Sequence, residues 1–268
     1  MSSSSSANEK KPKGGYSGPE VIIPDDSFIA KALPGFKMSL EARRSIRIYD
    51  DSQIPERIMK DCLKDATLAP SSSNLQPYEL YWVRQPEKKS RLQEACLGQP
   101  AATTAAELII VAARRDLWKT NLKKLKNIMT KGGKTELRGA VGKYYNQLLP
   151  KVMSNDPFGV FNKLRLVGFT TMGLSKPIIR APISDSDHRV WAHTQAALAA
   201  QTLMLSLAAH GYDSCPMGGI DEVRIKKIIG LPAQAEVSMV ISAGRRKPEG
   251  LYSRRVRLED DDLIKIID

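Results

Sequence analysis

Cysteine is scarce in this chain of 268 residues: Cys62, Cys96 and Cys215 are its only three, and no short spacing links them. An odd, scattered set builds neither a disulfide framework nor a zinc site. A reducing, cytosolic setting fits such usage. Histidine is equally thin, and His188, His193 and His210 are too poorly spaced to form a metal site of their own. No Gly-x-Gly-x-x-Gly run and no Walker loop occurs, so a dinucleotide-binding domain is not supported. Neither a Ser-His-Asp set nor a paired-carboxylate signature is present. The N-terminus is Ser-rich and then Lys-rich without an apolar core, which excludes a secretory signal. The longest uncharged run, residues 190–212, contains His193, Gln195, Gln201 and Ser206. Those groups are costly in lipid, so the run reads as a buried helix and not as a membrane span.

What the chain does have is positive charge, and that charge is unevenly placed. The net charge is +12, and residues 114–180 hold fifteen Lys or Arg against three acids, Asp116, Glu136 and Asp156. That block carries the whole excess, and the rest of the chain is balanced. A bounded block reads as an insertion with its own electrostatic task, although a solvated helical face accounts for it equally well. A nucleic-acid binder can share this profile. Residues 1–24 read as a flexible tail. The expected organisation is an N-terminal extension over residues 1–38 and one domain over 39–268, with a basic helical insertion at about 114–186.

Residue types and periodicity set the expected elements. Ser39 is placed to cap a short helix over 40–44. Pro55 starts a helix whose apolar face is Ile58, Met59, Cys62, Leu63 and Ala66, and Pro70 ends it near Ala69. Residues 79–84 read as a strand, 86–97 as a helix, and 108–113 as a buried central strand. Gly132 and Gly133 separate two helices, 117–130 and 135–149. A long helix over 187–210, expected to pack on several faces, ends at Gly211. Residues 214–220 read as a loop. Asp221 caps a helix to Ile229, and 237–243 is a strand. Without regular β-α-β alternation the order favours an α+β fold.

Two segments carry chemistry. Arg43, Arg44, Ser45 and Arg47 form a cluster suited to a phosphate, because a guanidinium fork binds two oxygens at once. An ordinary basic surface would read the same way. Residues 70–77, Pro-Ser-Ser-Ser-Asn-Leu-Gln-Pro, form a rigid turn rich in small hydrogen-bonding side chains: Ser71, Ser72, Asn74 and Gln76. That composition suits the edge of a flat heterocycle, and a plain surface loop uses the same residues.

The runs RRSIRIYDD, APSSSNLQPYELYWV, AALAAQTLMLSLAAHGYDSCPMGGID and VSMVISAGRR resemble the FMN-dependent nitroreductase family, in order and in spacing. The resemblance covers roughly residues 39–113 and 187–258, with the basic block and the tail outside it. It implies a mainly antiparallel sheet flanked by helices, an intertwined homodimer, a helical lid from residues 114–186, and FMN as cofactor. By the same resemblance, Arg43, Ser45 and Arg47 reach the phosphate and the pyrimidine side of the ring. Pro70, Ser71, Ser72 and Asn74 match a segment that in the family usually comes from the partner subunit. Gln99 matches a side chain facing the ring edge. Pro216, Met217, Gly218 and Gly219 match the loop over one ring face, where a backbone N–H points at flavin N5. Arg255 and Arg257 match a late basic pair on the phosphate, in a register that Arg254 leaves uncertain by one residue.

The activity so implied is a cytoplasmic oxidoreductase that uses NAD(P)H to reduce nitroaromatic, quinone or related acceptors by a ping-pong mechanism. No metal and no membrane span is expected. Reductive dehalogenation and other flavin chemistry remain open on the same fold. Glu136, Tyr144 and Lys163 are available in kind for a dehalogenating site, without matching spacing. In the lid, Tyr144, Tyr145, Phe158, Phe161 and Phe169 suit either a flat acceptor or a lid core. A nucleic-acid or anionic-surface binder using the basic block is the alternative of another class. Cys215, beside the proposed N5 loop, reads as a small buried hydrophobe rather than a redox group. His193 and His210 read as core or helix-end residues.

Overall fold

The computed structural model describes residues 25–154, 168, 171, 173–179 and 181–267. The expected tail over 1–24, together with Phe158, Phe161, Lys163 and Phe169, lies outside the described residues. The chain divides into two compact units, one of residues 26–117 and 186–268, the other of residues 1–25 and 118–185.

The first unit opens with α1 (Asp26–Ala42), followed by α2 (Glu56–Ala66), β1 (Tyr78–Trp82), α3 (Pro86–Ala95), α4 (Pro100–Thr103) and β2 (Glu107–Ala113). The second unit holds α5 (Trp118–Met129), α6 (Gly139–Lys143) and α7 (Leu149–Met153). The chain then runs through α8 (Asp185–Ala209), β3 (Asp213–Met217), α9 (Glu222–Ile229), β4 (Glu236–Gly244) and α10 (Asp260–Leu263).

The four strands form one antiparallel sheet in the order β1-β2-β4-β3. Strand β2 pairs on both sides and is buried from Leu108 onward. Its side chains alternate between two cores, as strand geometry requires. Ile109, Val111 and Ala113 pack with Met59, Cys62 and Ala66 of α2 and with Ala196, Ala199 and Leu203 of α8. Leu108 and Ile110 pack on the other face with Leu92, Cys96, Cys215 and Ile225. The unbroken apolar run of β2 thus serves a strand covered on both faces. The nine-residue β4 lies between β2 and the edge strand β3. All three cysteines are free and buried.

Several expectations are corrected. Ser39 does not cap a helix: it lies inside α1, and its hydroxyl donates to the Gly35 carbonyl at 2.9 Å. The helix therefore begins well before residue 40, and it leaves Phe28, Ile29, Leu33, Phe36 and Met38 exposed. Most of the expected loop 214–220 is strand β3, with Pro216 opposite Ile241. An edge strand accepts proline because one row of its N–H groups has no ladder partner to lose. Helix α8 buries one broad stripe, Ala192, Ala196, Ala199, Leu203 and Leu207 among it, and leaves Val190 and Leu198 exposed rather than packing all round. Gly211 at φ +78° follows it, and Asp221 caps α9 by accepting from the Arg224 N–H at 3.1 Å. In the second unit Gly132 and Gly133 break the helical path at φ +73° and +85°. The next helix restarts at Gly139, not Thr135, and passes through a π turn (Tyr144–Leu148) into α7. It runs beyond residue 149, through Pro150 to Met153, with Pro150 just after the π turn.

Candidate functional site

After α1 ends, residues 45–50 run extended between the edge strand and the loop that follows β4. Ser45 bridges Ser214, and the Ile46 N–H donates to the Ser214 carbonyl at 3.2 Å. The Arg47 N–H donates to Gly250 O at 3.0 Å, and the Lys247 N–H returns a bond to Ile48 O at 3.1 Å. Ile46 and Tyr49 are the anchors, at 0% and 1% exposure. The Tyr49 hydroxyl lies 2.9 Å from Ser242 Oγ, and burial pushes its phenol well above the usual range. Two glycines make this crossing possible. A Cβ on Gly244 would stand 2.9 Å from the Tyr49 ring, and one on Gly250 would stand 2.3 Å from Ile48 O.

This crossing brings six arginines around one cavity of about 220 Å³: Arg43, Arg44, Arg47, Arg254, Arg255 and Arg257, with Ser45, Tyr252 and Ser253. No acid lines it. Arg44 Nη2 donates to the Ser253 carbonyl at 2.6 Å, and the Arg47 guanidinium lies 5.1 Å from the centre of the Tyr252 ring. The Arg255 guanidinium donates to carbonyls at the end of α1: Glu41 at 2.8 Å, Arg43 at 2.9 Å and Leu40 at 3.3 Å. Those are carbonyls a helix end leaves without intrahelical partners. Arg255 thus fastens the returning C-terminal segment to α1, while Arg257 donates to its neighbour's carbonyl at 2.8 Å. Partial burial and the like charges of Arg255, Arg257 and Arg44 lower the basicity of Arg43. An anion in the cavity would relieve that crowding.

The glycine loop lies at the adjoining end of β3. Gln99 Nε2 donates to the Gly219 carbonyl at 3.2 Å and to Cys96 O at 2.9 Å, so it ties the loop to the entry of α4. Pro216 is half-buried, Met217 is buried, and Gly218 and Gly219 are exposed. A Cβ built on Gly218 or Gly219 meets nothing within 4 Å, which leaves open space beside the loop. Burial pushes the Cys215 thiol upward, against the opposing pull of Arg47, Ser45 and Arg43. A raised thiol pKa is the reverse of what a reactive cysteine shows.

The nitroreductase family model matches residues 40–245. This chain belongs to the nitroreductase family. The matched range begins at Leu40, ends at Arg245 and includes the basic block between its bounds. Residues 251–257 of the arginine cavity lie beyond it. The nitroreductase chain is 30% identical over 217 residues to an NADH dehydrogenase of Thermus thermophilus, covering 81% of this chain and 89% of that protein. A solved Exiguobacterium sibiricum structure in complex with FMN is 26% identical, with a TM-score of 0.59 over 87% of this chain and 97% of that one. A nitroreductase family protein of Streptococcus pneumoniae shares the fold at 18% identity, with a TM-score of 0.65 over 87% of this chain and all of that one.

Within this nitroreductase chain the second predicted segment is somewhere else. Pro70, Ser71, Ser72, Asn74 and Gln76 line no part of the arginine cavity. Their turn is fixed on α8, where the Ser72 N–H donates to Gln195 Oε1 at 2.8 Å. The Ser71 hydroxyl accepts from the Gln76 N–H at 3.1 Å, and Gln76 Nε2 donates to Asn74 Oδ1 at 3.3 Å. Ser73, Asn74 and Gln76 take φ of +54°, +54° and +44°. Such angles in non-glycine residues cost energy and cluster where function fixes the backbone. Arg43, Arg44, Ser45, Arg47, Arg255 and Arg257 therefore gather at one cavity, Pro216 and Met217 end the strand that Ser45 bridges, Gln99 holds the Gly218-Gly219 loop after it, and the serine turn forms a second surface. Sequence reasoning missed Gly250, Tyr252, Ser253 and Ser214. Their contributions are a close approach, a ring under Arg47 and two backbone carbonyls, none of which leaves a mark in residue type.

Proposed function

We propose that this nitroreductase-type oxidoreductase uses FMN, takes electrons from NAD(P)H and passes them in a ping-pong cycle to a nitroaromatic, quinone or related acceptor. The observation that carries this reading is the cavity of six arginines with no acid in its lining, on a segment laced to the strand that ends in the Gly218-Gly219 loop. A phosphate monoester fits that donor set, because planar guanidinium forks bind its oxygens in pairs. The open space beside Gly218 and Gly219 suits a flat ring. When bound, FMN supplies the hydride-accepting chemistry that no side chain of this protein provides.

Arg43, Arg44, Arg47 and Arg257 then hold the phosphate, with the Ser45 hydroxyl. Arg255 keeps that wall in place through its bonds to the end of α1. The Gly218 N–H is the donor assigned to flavin N5, and Gln99 keeps its loop in position. Pro70, Ser71, Ser72, Asn74 and Gln76 are assigned to the second flavin of a homodimer, a reading supported by their separation from the arginine cavity. The exposed apolar residues of α1 and α8 supply surface for such a dimer. Among the described residues no helix is long and apolar enough to cross a membrane, which suits the cytoplasmic setting proposed from cysteine usage.

The purified protein is expected to be yellow, with an absorbance band at about 450 nm that bleaches on addition of NADPH, since the flavin ring carries that colour. Protein that neither carries FMN nor takes it up would end this reading. The cationic residues of 114–186, the proposed lid, are assigned to attracting the extra phosphate of NADPH through their long-range field. The KM for NADPH is then expected to rise more steeply with ionic strength than that for NADH, and equal salt responses would remove this role.

A further inference from the structure

The helical stretch made of α6, the π turn and α7 carries a cavity of about 400 Å³. Among the described residues its lining is Ala140, Lys143, Tyr144, Gln147, Leu148 and Lys151, which recur at three- and four-residue steps and so share one helical face. Lys143 and Lys151 stand eight positions apart, about 12 Å along a helix axis. Between them lie the Tyr144 ring and Leu148, which is 45% exposed. The Tyr145 ring meets Tyr144 edge-on at 5.1 Å between centroids, which sets the orientation of the Tyr144 ring. Among the described residues neither lysine forms an ion pair. Glu136, the sole acid of residues 118–154, is engaged by Arg138 at 3.5 Å. The π turn falls at the middle of the cavity, and such turns recur at functional sites because they displace side chains from the regular helical path.

We propose that this groove binds an amphiphilic anion: a flat or extended apolar body on Tyr144 and Leu148, with a carboxylate or sulfonate held by Lys143 or Lys151. The composition selects this class over its neighbours. A wholly apolar ligand would leave two ammonium groups at the rim without use. A compact polyanion would leave the tyrosine and leucine surface in water, and two cations so far apart do not converge on one small ion. Lysine suits the rim because its flexible stem lets the charge follow the ligand. The described lining falls within residues 139–153, none of which is assigned to the FMN site, so the proposal stands independently of the FMN reading.

The test is a fluorescence titration of the full-length protein with 8-anilinonaphthalene-1-sulfonate, and with N-phenyl-1-naphthylamine, the same ring system without the sulfonate. Saturable binding of the sulfonate at micromolar concentrations is expected, weakened about tenfold or more in K143E/K151E. The neutral probe should change less than about twofold in that variant, since only the charge has been reversed. Leu148→Asp should weaken both probes. All three positions are exposed, and thermal melting of each variant checks that the fold is retained. An unchanged sulfonate affinity in K143E/K151E, or unchanged affinities in Leu148→Asp, would overturn the proposal.

Discussion

Arg43→Glu is expected to weaken FMN binding by at least about 100-fold and to leave riboflavin binding nearly unchanged. A hydrogen bond to a charged group contributes about 1.5–3 kcal/mol, and a like charge beside the phosphate adds a repulsive penalty. Each 1.4 kcal/mol or so is tenfold in affinity, so the combined effect exceeds two decades. Arg43 is the informative position because its side chain is part-buried among Arg44, Arg255 and Arg257, with no acid to compensate. Arg255 would be a poorer choice, since its loss would also unfasten the carbonyls of Leu40, Glu41 and Arg43. Fluorescence titration of apoprotein with the two flavins provides the measurement. Equal losses for both would mean that Arg43 acts on the ring or on the fold, not on the phosphate.

Gly250→Ala is expected to lower stability by about 2–4 kcal/mol, through forced displacement of packed backbone. The new Cβ would stand 2.3 Å from Ile48 O, 2.9 Å from Ile48 N and 3.0 Å from Ile46 Cγ2. Two of these are backbone atoms, which cannot swing aside as a flexible side chain would. The Arg47 N–H bond to Gly250 O is lost with the displacement, so the arginine cavity opens as well. For a chain of this size the melting temperature should fall by about 5 °C or more. Gly218→Ala is the matched control, because its Cβ meets nothing within 4 Å and its melting temperature should hold. A melting temperature for Gly250→Ala equal to that of the unaltered protein would show that the loop yields at no cost.

Strong periodicity and special residue types made much of the fold legible in the sequence. The apolar run of β2 announced a strand covered on both faces. Asp221, Gly211 and the Gly132-Gly133 pair marked ends that the backbone then takes. Ser39 misled because serine serves a helix interior as readily as a cap, by bonding back to a carbonyl four residues earlier. Residues 214–217 misled because proline and a following Gly-Gly pair outweigh a short apolar pattern in any local reading, while pairing with β4 decides the matter from outside the segment. The arginine cluster was legible at 43–47 because its residues are consecutive. Its other wall was visible only in part. Arg255 and Arg257 stood out by charge, yet nothing in the sequence told that Arg255 would bond three carbonyls of the opposite wall.

Arg44 and the carbonyl of Ser253 that accepts from it are 209 positions apart. During synthesis at about 5–20 residues per second, the first wall of the cavity therefore waits on the order of 10–40 s before the second has been made. The sheet waits almost as long, because β4, which lies between β2 and β3, ends at Gly244, nine positions before Ser253. The anion cavity is complete only once residues 251–257 have been made and have returned to α1. Removal of residues 251–268 would leave the sheet and its two cores with one wall of the cavity.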